Sequence, residues 1–255
     1  MSKLKIAVQL YTIRDHTAVD FAKAMQDVAK IGYKYVELAG FGNLTSAAQV
    51  KKALDDAGLI AIGAHAGTPE SFAGEGLQKA IDDAKTIGYK HLMVPWISEA
   101  WRGAEGYRKL ATSLTEFSKT LATQGLTLGY HNHSFEFEKY EGVYGLDILW
   151  QHTDPTLVRA ELDLFWVNHG QVDVLAYLKQ VGQRTIAVHL KDVSKTDRNK
   201  FANVGTGTLD FASLITSAEA IGVEFGAVEQ DDCYGQPTLE SIKISYDNLA
   251  KMGWK

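Results

Sequence analysis

Cysteine is almost absent from this chain. Of its 255 residues only Cys233 carries a thiol, so no disulfide can form within it. That absence suits a reducing compartment, and a cytoplasmic protein is expected. Proline is scarce too, with 4 in the whole sequence. No stretch has the Pro-, Gly- or Ser-rich composition of a linker, so one domain over 1–255 is expected. No run reaches the ~18–20 apolar residues that span a bilayer. The N-terminal Met-Ser-Lys-Leu-Lys leads straight into a β-rich run, without the apolar region and small-residue cleavage site of a signal peptide. Basic residues are nowhere dense. The 26 Lys and Arg against 31 Asp and Glu give a net charge of −5, and the richest stretch, over 191–200, is diluted by Asp192 and Asp197. These absences argue against membrane and nucleic-acid partners. Also missing is a Gly-x-Gly-x-x-Gly after any strand, the usual mark of a dinucleotide-binding open sheet.

What is present is a rhythm. A short apolar run, a polar segment and an amphipathic helix recur eight times. The expected strands cover 5–10, 35–38, 60–64, 91–94, 126–131, 158–162, 185–190 and 224–229. The expected helices cover 20–31, 46–57, 76–87, 106–124, 145–152, 173–181, 210–221 and 238–252. Five helix-to-strand joints place a glycine at the helix end, as in Ala57-Gly58-Leu59 and Ile221-Gly222-Val223, where glycine satisfies the left-handed cap. The strands are continuously apolar rather than alternating, as parallel strands covered on both faces should be. Eight such units in this length predict a single (β/α)8 TIM barrel of the α/β class.

Barrels of this kind place their chemistry at the carboxyl ends of the strands. Those ends carry Gln9 and Tyr11, Glu37, His65, Pro95 and Trp96, His131 to His133 with Glu136 beyond, Asp163 with Trp166 beyond, His189 with Lys191 and Asp192, and Glu229 with Asp231 and Asp232. Six of the eight ends thus hold a His, Asp or Glu, and buried charges are costly unless paired or bound to metal. Asp, His and Glu on adjacent strands suit a divalent ion such as Mn²⁺, Co²⁺ or Zn²⁺. Blander readings stand beside this one. His65 alone is an ordinary hydrogen-bonded barrel histidine, Glu37 could pair with Lys191, and His91 opens its strand at the wrong end. Trp96 and Trp166 serve equally as core or as a wall for the apolar face of a sugar. Gly205-Thr206-Gly207-Thr208 precedes a helix and could offer backbone amides to an anion. A tight turn capped by Thr208 is the simpler expectation.

Several segments together resemble a known family. They are Gln9-Leu10-Tyr11-Thr12, Gly32-Tyr33-Lys34-Tyr35-Val36-Glu37-Leu38, Gly129-Tyr130-His131-Asn132-His133-Ser134-Phe135-Glu136-Phe137, Glu161-Leu162-Asp163, Val188-His189-Leu190-Lys191-Asp192 and Val228-Glu229-Gln230-Asp231. The chain resembles the xylose-isomerase-like barrels, the sugar phosphate isomerases and epimerases, whose relatives include inosose dehydratase, ketose 3-epimerases and endonuclease IV. The resemblance implies a divalent metal (Mn, Co, Zn or Mg) held by a Glu, an Asp, a His and a Glu after strands 5 to 8. Asp163, His189 and Glu229 match the last three. His131 stands where the first glutamate is usual, with Glu136 a second candidate. A two-glutamate epimerisation is therefore not supported, and the His-x-His pattern is closer to the inosose dehydratase side. The resemblance implies a metal-dependent isomerase, epimerase or dehydratase-like lyase that abstracts a proton next to a polarised carbonyl. Glu229, His133 and Lys191 would move protons, and His65, Glu37, Trp96, Glu136 and Trp166 would line a small sugar or polyol. A homo-oligomer is compatible with this barrel type. The rivals are a nuclease like endonuclease IV, for which ligands and a basic rim are missing, and a non-catalytic sugar-binding barrel with a degenerate metal site.

Overall fold

The computed structural model describes residues 3–254. Eight parallel strands close into a barrel in chain order. They are β1 (Lys5–Gln9), β2 (Tyr35–Leu38), β3 (Ile60–His65), β4 (His91–Val94), β5 (Thr127–His131), β6 (Val158–Asp163), β7 (Thr185–Leu190) and β8 (Phe225–Val228). Closure comes from β1 pairing β8, with Ala7 opposite Ala227. The helices are α1 (Arg14–Ile31), α2 (Ala47–Ala57), α3 (Gly76–Ile87), α4 (Ala104–Thr123), α5 (Gly145–Gln151), α6 (Leu164–His169), α7 (Val174–Val181), α8 (Phe211–Ile221) and α9 (Thr238–Lys251). Among the described residues no helix is long and apolar enough to cross a membrane.

The expected barrel is the observed one, and the departures have local causes. The first helix starts at Arg14 rather than 20 and is broken at Asp20, whose φ of −152° and ψ of 94° are extended. The Asp20 carboxylate accepts from the Lys23 amide, so 20 is where a freshly capped second segment begins. Helix α6 occupies a stretch read from sequence as mouth segment. Asp163 caps it by accepting from the Trp166 amide at 3.0 Å. Two short antiparallel ribbons, 139–140 with 143–144 and 192–193 with 201–202, decorate the loops after β5 and β7.

Two apolar layers hold this together. The larger lies between strands and helices. The smaller comprises Ala7, Ile62, Met93, Ile186, Ala187, Phe225 and Ala227. Ala187 and His189, like Ala227 and Glu229, are two residues apart and so face the same side. The small cluster thus forms an apolar plug beneath a polar layer at the carboxyl ends. Gly129 belongs to this interior, since a Cβ there would fall 2.1 Å from Met93 Sδ.

The glycine loop after β7 differs from both sequence readings. Its amides are already taken by the chain itself. Asp192 accepts from the backbone N–H groups of Val193 (2.8 Å), Gly205 (3.0 Å), Gly207 (2.8 Å) and Leu209 (3.1 Å). The helix that follows is capped by Asp210, not Thr208. Thr208 instead donates its amide to the Val193 carbonyl. Asp192→Asn would turn one accepting oxygen into a donor facing two N–H groups. We predict a loss of about 2–4 kcal/mol, since an unsatisfied buried group costs ~1–3 kcal/mol. Asp210→Asn keeps a good cap and should stay within ~0.5 kcal/mol of the parent. Urea unfolding of the two variants checks this. Equal midpoints would show that the Asp192 carboxylate does not hold the loop.

Candidate active site

The polar layer is built by strand ends. His189, the penultimate residue of β7, is fully buried and stands at its centre. Its Nε2 lies 2.8 Å from Glu37 Oε2 and 3.3 Å from Glu161 Oε2. Its Nδ1 lies 2.9 Å from Glu229 Oε2 and 3.8 Å from Asp163 Oδ2. His65 approaches the same Glu161 oxygen at 3.0 Å, and His131 Nε2 lies 3.3 Å from Asp163 Oδ2. Lys191, just past β7, reaches Asp163 at 2.9 Å, Glu229 at 2.7 Å and Asp231 at 3.2 Å. Asn132 fastens the ends of β5 and β6, since its Oδ1 accepts from the Asp163 amide. With Oδ1 of Asp163 spent on the α6 cap, Oδ2 is the oxygen turned to Lys191 and His131.

Burial sets the charge states here. Glu37, Glu161, Asp163 and Glu229 are all at most 2% exposed. Among the described residues Lys191 is the only Lys or Arg in ion-pair range of any of them. Burial alone would push the Lys191 ammonium down, but Asp163, Glu229 and Asp231 hold it well above the usual range. Asp163 is held down to about 2 against its own burial, by Lys191 first and His131 next. Glu229 is likewise held well below its usual value by Lys191 and His189. Glu37 behaves oppositely. Burial and the neighbouring Glu161 charge raise it to about 7. Glu161, facing two histidines, stays well below the usual carboxylate range in spite of burial. His189 is raised by Glu161 and Glu229 against burial. Burial and the nearby His131 and Lys191 lower His133 to about 2.

Above this layer opens a cavity of about 440 Å³, lined by Tyr11, Ala39, His65, Pro95, Trp96, His131, His133, Glu229 and Asp231. That is within the range of small-molecule sites. Tyr11 and Trp96 are more than 40% exposed and form an aromatic rim. A second depression beside Arg14 and Cys233 shares Asp231 but contains none of the histidines.

Most of the residues singled out from sequence are brought together. His65, Trp96, His131, His133 and Glu229 line the cavity, with Asp163, His189 and Lys191 directly beneath. Three are placed differently. Glu37 lies under His189 and pairs with it, not with Lys191. Glu136 is fully buried, with one oxygen 2.8 Å from the Tyr130 hydroxyl and the other accepting from the His133 amide at 2.8 Å. Trp166 packs on His133, ring centres 5.4 Å apart, with the Lys191 ammonium 5.6 Å from its own centre. None of these three is among the cavity lining. Sequence reading gave no role to Glu161, although its position two before Asp163 on one strand puts both on the same side.

Two overlapping donor sets could each hold a metal ion, His131–Asp163–His189–Glu229 and His65–His131–Glu161–His189, both sharing His131 and His189. Glu136 belongs to neither. Neither ring nitrogen of His131 makes an aligned hydrogen bond, and Glu37 Oε1 and Glu161 Oε1 are buried without partners. Unpaired buried acceptors of this kind are the chemistry a cation satisfies. Imidazole with carboxylate suits Mn²⁺, Co²⁺ or Zn²⁺ better than the oxygen-seeking Mg²⁺.

Glu136 yields a test of the burial argument. Its carboxyl is raised from 4.5 to about 8, by burial first. The folded protein therefore keeps a proton that the unfolded chain gives up. That contribution is complete below about 4.5 and is lost as pH rises through about 8. The two Glu136 oxygens accept from the Tyr130 hydroxyl and the His133 amide. A neutral glutamine keeps the acceptor for His133 and can turn its amide group to the Tyr130 oxygen. We predict that Glu136→Gln and the parent unfold at the same urea concentration near pH 5, and that the variant outlasts the parent at pH 8. A constant difference across this range would refute it.

Comparisons with known proteins bear on fold and family. The sequence model of the Xylose isomerase-like TIM barrel family matches residues 25–228. No curated protein matches. Among solved structures, a sugar phosphate isomerase/epimerase from Parabacteroides distasonis ATCC 8503 superposes with a TM-score of 0.83 at 23% identity, covering 98% of this chain and 94% of that one. A probable 3-DHS dehydratase from Bacillus anthracis gives 0.75 at 13% identity, over 97% and 99% of the two chains. An L-ribulose 3-epimerase gives 0.73 at 14% identity, over 98% and 94%.

Proposed function

The chain belongs to the xylose isomerase-like TIM barrel family, and from that premise we propose that it is a divalent-metal-dependent enzyme acting on a small sugar or polyol, as an isomerase, epimerase or dehydratase-like lyase. The observation that carries this reading is the convergence of three histidines and four buried carboxylates under a cavity of about 440 Å³. The names of its structural neighbours, a sugar phosphate isomerase/epimerase, a 3-epimerase and a dehydratase, support the same range of chemistry.

The ligands proposed from sequence are His131, Asp163, His189 and Glu229. His65 and Glu161 offer an overlapping alternative. A divalent ion held there supplies Lewis-acid polarisation of a substrate carbonyl. The chain's own residues do the rest. Glu229 is ionised, lines the cavity and is fixed by Lys191 and His189. It is placed to take a proton from the carbon next to that carbonyl. Lys191 keeps its charge and serves as a hydrogen-bond donor to the oxygen on which negative charge grows. His133 is neutral and offers a hydrogen bond to a substrate hydroxyl from the cavity wall. Trp96 and Tyr11 at the rim give a flat apolar surface for a sugar ring, and Trp166 backs His133.

The test is proton exchange. The protein purified without chelator is expected to carry about one divalent ion per chain, lost in His189→Ala, whose imidazole belongs to both donor sets. Incubated in D₂O with a panel of ketoses and inososes, the loaded protein should place deuterium at the carbon beside the carbonyl of at least one of them. Glu229→Gln should slow that exchange by about a hundredfold or more, the scale of a lost general base. Exchange that persists unchanged in Glu229→Gln would remove the carboxylate from this role. A parent protein that binds no Mn²⁺, Co²⁺ or Zn²⁺ would leave a sugar-binding barrel with a degenerate site.

A further inference from the structure

The cavity above the polar layer has a neighbour of nearly its own size. Asp231, just past β8, lines both the first cavity and a second of about 420 Å³, and each is large enough for a small molecule. Its side chain is 29% exposed, so the carboxylate stands at the boundary between them. The second cavity follows the seam where β8 closes on β1. One wall comes from the turn after β1 and the start of α1, through Thr12, Arg14 and Asp15. The other comes from the segment joining β8 to α9, through Asp232, Gln236 and Thr238.

The boundary is braced. Tyr11 lines the first cavity and Arg14 the second, and the Arg14 guanidinium lies 4.1 Å from the centre of the Tyr11 ring. The same guanidinium donates to the Tyr11 carbonyl at 2.8 Å and to the Asp231 carbonyl at 2.9 Å. One side chain thus ties the turn after β1 to the loop after β8. A ligand lying across both cavities meets a sill already in place, and little ordering has to accompany its binding.

The lining decides what the second cavity would take. Among the described residues that line it, Arg14 is the only Lys or Arg, against Asp15, Asp231 and Asp232. A phosphate or carboxylate would meet like charge there. No Phe, Tyr or Trp lines it, so an aromatic group finds no ring to stack on. What it offers is hydrogen bonding of both senses. Asp232 Oδ1 accepts from the Tyr234 amide and Gln236 Oε1 from Asn203. Among the described residues Asp232 Oδ2 and the Gln236 amide nitrogen make no hydrogen bond. That leaves an acceptor and a donor for hydroxyl groups.

Resting on the sugar-binding part of the reading above, we propose that the substrate is a two-ring sugar, a disaccharide or similar glycoside. Its reacting ring lies in the first cavity. Its second ring, uncharged and polyhydroxylated, lies in the cavity beside Arg14, and the link between the rings crosses Asp231.

The test is calorimetry on the protein purified without chelator, comparing free sugars with two-ring sugars that contain them. Fructose is set against lactulose, isomaltulose and turanose, and glucose against maltose, cellobiose and trehalose. At least one disaccharide should bind about tenfold or more tightly than its free sugar, because the second ring binds as a tethered group. Asp15→Trp and Gln236→Trp each set an indole into the second cavity and should bring that ratio to about one. Far-UV circular dichroism and urea midpoints show which variants fold, and either one suffices. Ratios near one across the parent's whole panel overturn the proposal. So does a preference for the disaccharide that survives in a folded Trp variant. A two-ring preference in a protein that takes up no divalent ion would sink the metal-dependent reading and keep this one. A bound ion and deuterium exchange on free ketoses, with ratios near one, would do the reverse.

Discussion

Five carboxylates (Glu37, Glu161, Asp163, Glu229 and Asp231), four histidines (His65, His131, His133 and His189) and one lysine share the mouth of this barrel, most of them withdrawn from water, and the local structure answers to that excess of negative charge. Each buried carboxylate costs several kcal/mol unless it is paired. The small apolar plug below the layer admits no relief from beneath, because Ala187, Ala227 and their neighbours offer nothing polar. Compensation must therefore come from within the layer or from a bound cation. Lys191 serves one side and His189 bridges to the other. Asn132 and the cap of α6 fix the exact facing of Asp163 between them.

Much of the fold was legible because barrel formation repeats one physical unit. Short, mostly apolar strands of four to six residues in β1 to β8, followed by amphipathic helices, leave few other ways to cover both faces of a parallel sheet. Glycine at helix ends marked the joints, and Gly58 and Gly222 indeed take the left-handed conformation at φ 70° and 88°. What escaped was set by local competition rather than by period. The Asp20 carboxylate caps a segment that reads as the start of the helix, although the chain is already helical from Arg14. Six residues after Asp163 close into α6 because that aspartate caps them, a double duty no pattern reveals. The short ribbons depend on pairing across loops, which leaves little trace in a single segment.

The site was legible in its members and less so in its pairings. Histidine and carboxylate at the strand ends announce a polar mouth, but a strand register decides who meets whom. Glu37 could be matched to any cation near the mouth. The register of β2 against β3, shifted between Val36 and Glu37, leaves it beneath His189. Glu161 was the clearest omission. It sits one period-two step below Asp163, and the same alternation that recommends Asp163 recommends it. Glu136, five residues past His131, looked like a substitute ligand, but a 3-10 turn at 135–137 folds it back against Tyr130.

The Asp192 carboxylate has a consequence for what this barrel can select. The glycine loop after β7 lies where barrels of this architecture often cradle a phosphate. Here the four amides that would receive one are occupied by an anion belonging to the chain. A tethered group competes at an effective concentration in the millimolar range or above, so a free phosphoryl group would have to displace it and leave a buried carboxylate without its donors. That loop is thus insulated against phosphorylated metabolites. On the proposed reading, a sugar or polyol would be gripped through its hydroxyls and carbonyl and the faces of its ring.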